Sequence, residues 1–181
     1  MKKVGLILSV MIFGAVSVMA AQDLKIGYVD VEKVFNGYEI TKQNDAKLKE
    51  EGKSKTSERS AKVDEIKKLK EEVELLSEEA RKDKEVVIEE KLKVLREFDE
   101  KAKSELRSKR DFLLKKIFDD IRKTIEEIGK AQNYSLIFND RALLYKMDSY
   151  DITDQVVKKM NEKAKEDASK KSKEAPAEAQ P

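Results

Sequence analysis

The chain has 181 residues, of which 42% are charged, and it contains no cysteine, histidine or tryptophan. That excludes disulfides, thiol or histidine catalysis and His/Cys metal sites, and it favours long exposed helices over a large core. The formal charge is +2, and without Lys2 and Lys3 the remainder carries 37 basic and 37 acidic groups, which gives no net-charge argument for nucleic acid.

Residues 1–20 read as a secretory signal peptide. Lys2 and Lys3 form a basic start, and residues 4–18 are an uncharged apolar run shorter than a bilayer span. Val18 and Ala20 place cleavage after Ala20, with Ala21 next. A bacterial-looking leader and no later anchor point to the periplasm.

Residues 24–31 (LKIGYVDV) form a short strand with apolar side chains on both faces. A helical turn follows, carrying Val31, Val34 and Phe35, with Asp30 as N-cap. Gly37 marks a bend.

From Gln43 to about Ile128 the chain contains no proline and is dense in Lys and Glu. One apolar series runs Ile66, Leu69, Val73, Leu76, Ala80, and a second begins at Ile88, Leu92, Leu95 and continues to Ile128. These steps of three and four predict helices with a seam too thin for a globular core. Residues 45–62 are nearly all polar, and Gly52 makes them soft helix and a candidate hinge. The seam lapses after Leu76. An unbroken helix would be about 130 Å long, so the spacing predicts an antiparallel hairpin with its tip near 77–84 and limbs of about 50–70 Å. Below Asp111 the return limb turns apolar, and Gly129 is its expected C-cap.

Residues 134–138 (YSLIF) read as a strand, Asn139-Asp140-Arg141 as a turn, and 142–147 (ALLYKM) as the partner strand of a hairpin. Asp151 or Thr153 opens a last helix with Val156, Val157 and Met160 on its buried face. Residues 161–181 are mostly Lys, Glu, Ala, Ser and Pro without an apolar face, and are expected to be a disordered charged tail. The fold class is α+β: a small three-stranded body built from both chain ends, with a long antiparallel α-helical hairpin arm. So few strands leave unpaired edges, for which oligomerisation is the cheapest remedy.

The chemistry is sparse. Glycines 27, 37, 52 and 129 stand singly, so there is no phosphate loop. Asp140, Asp148, Asp151 and Asp154 cluster near the end, but each serves better as a turn or cap residue than as a metal ligand or acid–base group. Arg81-Lys82, residues 107–110 and Lys170-Lys171 are solvated helix surface before they are phosphate sites. Val86 and Val87 read as seam residues, or as contact points for an apolar client. No cofactor and no enzymatic activity are expected.

Three stretches resemble the Skp/OmpH family of periplasmic chaperones: KIGYVD at 25–30, the strand–turn–strand ending in Leu144-Tyr145, and the helix start carried by Asp151, Ile152, Thr153, Val156 and Lys158. The resemblance covers the whole mature chain except the tail. It implies a homotrimer with a shared β-barrel body, drawing here on Ile26, Tyr28, Val29, Leu136, Phe138, Leu144 and Tyr145. It implies three tentacles around a cavity that holds unfolded outer-membrane proteins without ATP, on their way to the outer-membrane assembly machinery. On this reading residues 21–41 and 112–160 are a discontinuous trimerisation body and 42–111 the tentacle. Well-known members are strongly basic, a feature linked to membrane or lipopolysaccharide contact; the near-neutral chain departs from that, and the basic site maps onto no matching residues here. The alternative function is a coiled-coil spacer or scaffold of the cell envelope.

Overall fold

The computed structural model describes residues 24–174, with side-chain environments to residue 170. The expected signal peptide and residues 175–181 lie outside the described residues. The order is β1 (Ile26–Val29), α1 (Val31–Gly37), α2 (Glu39–Val73), α3 (Glu78–Ala131), β2 (Leu136–Asn139), 3-10 turns at Asp140–Ala142 and Asp148–Tyr150, and α4 (Thr153–Glu174). Among these residues no helix is long and apolar enough to cross a membrane.

The body is built where the chain ends meet. Its core joins Val29 of β1, Val34 of α1, Ile117, Ile121 and Ile128 of α3, and Ile152, Val156 and Met160 at α4. The base of α3 is the central pillar, which explains why the return limb becomes apolar below Asp111. Polar bonds tie the two ends together. The Asp30 amide donates to Thr153 Oγ1 at 2.9 Å. The Ile152 amide donates to the Tyr28 carbonyl at 3.0 Å. Asn161 bridges the break between α1 and α2: its Nδ2 donates to the Gly37 carbonyl at 3.0 Å and its Oδ1 accepts from the Glu39 amide at 2.9 Å. Gly37 allows a close approach here: a Cβ would lie 3.0 Å from Val157 Cγ1, and that side chain would have to give by a few tenths of an ångström.

The expected three-stranded body is corrected to two strands. β1 and β2 pair in parallel, with Ile26 opposite Leu136 and Tyr28 opposite Phe138. Parallel strands need a long crossover, and here the whole arm supplies it. The predicted hairpin at 142–147 does not form. Asn139 Oδ1 accepts from the Arg141 amide at 3.2 Å and closes a 3-10 turn instead. Leu143 and Met147 keep extended backbone, but the segment between them pairs with no strand among the described residues. Local strand preference is present there; a ladder partner is not.

Three boundaries also differ. The arm reverses at residues 74–77, just ahead of the expected tip; Ser77 stands at the α3 N-cap position but makes no side-chain capping bond. Gly129 is inside α3, and the helix ends in a Schellman motif, with Asn133 at φ 56° and the Tyr134 amide donating to the Gly129 carbonyl at 2.9 Å. Finally, α4 runs to Glu174, so 161–174 of the expected disordered tail are helical. That segment is rich in Lys, Glu and Ala, which are good helix formers, and its first turns are anchored on the body through Asn161, Lys163 and Ala164.

Candidate functional site: the open sheet face and the arm

Side-chain alternation gives the small sheet two faces. Val29 and Ile137 point into the core. Ile26, Tyr28, Leu136 and Phe138 point the other way. A groove of about 390 Å³ lies on that side, lined by Leu24, Ile26, Tyr28, Phe138, Leu143, Tyr145, Met147 and Tyr150. The 143–147 loop only partly covers it. Leu144 and Tyr145 project from that loop, 109% and 82% exposed.

Two polar features sit in this apolar surface. Lys146 Nζ lies 4.8 Å from the Tyr28 ring centroid and 3.1 Å from Asp140 Oδ2. The bond to Asp140 raises the Lys146 pKa. Tyr28 is buried, and burial, with Asp151 adding to it, pushes its hydroxyl pKa up. Among the described residues that hydroxyl makes no hydrogen bond of ordinary geometry, although the Asp151 carboxylate lies close enough to interact with it. The outer edge of β2 is likewise unpaired.

The arm is the second surface. Ile66, Ile88 and Ala102 are its only buried apolar side chains between residues 42 and 111. Ion pairs between the limbs supplement this thin seam: Glu72–Lys84 at 2.6 Å, Glu65–Lys91 at 2.7 Å, Arg59–Asp99 at 2.9 Å, Lys55–Glu105 at 3.5 Å, and Glu51–Lys109. The Lys91 hydrogen bond holds the Glu65 carboxyl below the usual range. Toward the tip, apolar side chains face outward amid charge: Leu75, Val86, Val87 and Val94. Val86 and Val87 are 58% and 40% exposed, so the structure places them on the surface rather than in the seam. Val87 and Val94 share one helix face by their spacing of seven.

At the arm root, Lys163 and Lys159 of α4 reach Glu127 of α3, and the Lys163 bond lowers the Glu127 pKa. The acidic residues of the body do structural work: Asp140 pairs with Lys146, and Asp151 accepts from the Thr153 amide at 2.8 Å. Among the described residues, no group of three acidic side chains is placed to hold a metal ion.

Of the seven body residues singled out in the sequence, Val29 lies in the chain's own core, and Ile26, Tyr28, Leu136, Phe138, Leu144 and Tyr145 gather on or beside the groove face. Sequence reasoning missed Met147, Tyr150 and Leu24; their signal was apolar residues in segments that read as turn or strand margin. Gly52 is inside α2, and a Cβ there would meet nothing within 4 Å.

The molecule thus presents two extended surfaces, an open apolar sheet face and a long arm with outward apolar side chains. A family described as "Outer membrane protein (OmpH-like)" matches residues 25–160, most of the chain. The chain belongs to this OmpH-like family. Its structure is similar to a crystal structure of a candidate outer membrane chaperone (OmpH-like) from Caulobacter crescentus CB15. The TM-score is 0.71 at 15% sequence identity, over 76% of this chain and 84% of the other. No curated protein matches the sequence.

Proposed function

We propose that this protein is a periplasmic holdase chaperone. Three copies join through the groove faces and free β2 edges, and the three arms enclose unfolded outer-membrane proteins, preventing their aggregation without ATP before hand-off to the assembly machinery. The observation that carries the reading is the arm surface: isolated apolar side chains at Leu75, Val86, Val87 and Val94, surrounded by charge. Each such contact is weak. Several on each of three tethered arms sum through effective concentration, which holds a client and still releases it without fuel.

The body supports the oligomeric half. A two-stranded sheet is marginal alone, and its second face is apolar. A neighbouring chain laid on that face would bury the apolar side chains. Membrane or lipopolysaccharide contact has no comparable support, because the charges are balanced.

The test is to dilute an unfolded outer-membrane β-barrel protein from denaturant into buffer with the purified mature protein and follow light scattering. Suppression at about one trimer per client is expected. Unchanged aggregation at several-fold excess rejects the reading. Sedimentation separates a trimer with projecting arms from the rod of dimers that a spacer would form. Tyr145→Asp, at an exposed position, is expected to dissociate the trimer and leave the helix content intact.

A further inference from the structure

The two limbs of the arm are not joined in the same way along their length. On α2 the apolar side chains that turn toward α3 are Leu48 below and Ile66, Leu69 and Val73 above. Between Leu48 and Ile66, about 27 Å of helix, no apolar α2 side chain enters the seam, since Ala61 and Val63 are exposed. Lys55, Arg59 and Lys62 occupy its place. They meet α3 through charge and one aromatic ring. Arg59 Nε donates to both Asp99 carboxylate oxygens, at 2.9 and 3.1 Å. Lys55 pairs with Glu105 at 3.5 Å. Lys55 and Lys62 Nζ lie 5.6 and 5.5 Å from the Phe98 ring centroid.

The α2 backbone in this stretch is also weak. Gly52, Ser54, Thr56, Ser57 and Ser60 are poorer helix formers than Ala, Lys or Glu. Thr56 Oγ1 donates back to the Gly52 carbonyl at 2.9 Å, a bond that tends to bend a helix. Exposed ion pairs contribute little and are screened by salt, whereas apolar burial is not. At mid-arm α3 still buries Ala102, but no apolar α2 side chain meets it there, so this part of the hold depends most on ionic strength.

We propose that residues 52–62 of α2, zipped by charge to residues 98–105 of α3, form an electrostatic joint in the middle of the arm. The joint loosens when charge is screened, while the apolar outer segment and the arm root stay closed. It lets the outer arm swing on the inner arm, separately from any motion at the root. That the swing resizes a client cavity rests on the chaperone reading above; the loosening does not.

Amide hydrogen exchange on the intact mature protein, without client, reads the joint directly. Raising salt from about 0.1 M to about 1 M shortens the screening length from roughly 10 Å to roughly 3 Å. Exchange in 52–62 is expected to accelerate by about three- to tenfold, with little change in 66–73 or 117–128. Arg59→Asp is expected to produce that acceleration at low salt, and Arg59→Asp with Asp99→Arg to reverse most of it. Salt-insensitive exchange at 52–62, equal acceleration along the whole arm, or no rescue by the paired swap would each overturn the proposal. Because no client is present, loss of holdase activity in other assays leaves this result standing, and the reverse.

Discussion

Gly52→Ala is the most discriminating single change in the arm. Gly52 is an interior residue of α2. No glycine of the described chain has a positive φ, so alanine fits the backbone without strain. A Cβ at this position meets nothing within 4 Å, so the substitution neither overpacks the seam nor fills a gap. What remains is the backbone term, about 1 kcal/mol in favour of alanine in a helix interior. Local opening of the outgoing limb should then become about fivefold rarer. Hydrogen exchange over residues 48–60 should slow by that factor, while peptides from 117–128 in the core are unchanged. If the slow response carries into function, the mutant should also accept a narrower range of client sizes. Exchange that is unchanged or faster at 48–60 would refute the argument, since it would mean that helix propensity does not limit opening there.

Other substitutions test the body. Ile121→Ala removes a side chain buried in the α3 pillar and should destabilise the fold by about 2–5 kcal/mol in urea unfolding. Asn161→Ala removes both bonds to the α1–α2 break, one exposed and one part-buried; a loss of about 0.5–1.5 kcal/mol is expected. Asp30 accepts from the Lys33 amide at 2.9 Å, and that hydrogen bond holds its carboxyl below the usual range. Its folded pKa lies below its unfolded one, so its stabilisation is present above the ordinary carboxylate range and is lost as pH falls through the folded value. Asp30→Asn should keep the cap but flatten part of the acid limb of stability against pH, whereas Asp30→Ala should lose about 1 kcal/mol at neutral pH.

The elements that local pattern governs were legible in the sequence. The periodic apolar steps from Ile66 to Ile128 predict a helical hairpin, Asp30 was readable as a cap, and β1 and β2 stand where β-rich runs lie. Pairing was not legible. The run at 142–147 has strand chemistry and extended backbone, but a strand needs a neighbour, and local composition does not supply one. The parallel register of β1 with β2 follows from the core around Ile121 and Ile128, which brings the chain ends together. The end of α3 was misplaced because Gly129 is the more common C-terminal signal, whereas Asn133 takes the left-handed position. The helical continuation of α4 was hidden by a composition that serves equally for solvated helix and for disorder, until Asn161 and Lys163 anchor its first turns. On the candidate site, the groove residues were readable as apolar positions near strands, but the outward orientation of Val86 and Val87 depended on the register between the limbs.

The central claim is that the arm holds clients and the body assembles copies. It is tested most directly by deleting residues 56–107, joining the limbs with a short turn, and measuring sedimentation and client aggregation on the same preparation. The account predicts a stub that still sediments as a trimer and no longer keeps an unfolded outer-membrane protein soluble. A trimeric stub that suppresses aggregation as well as the full chain would contradict it.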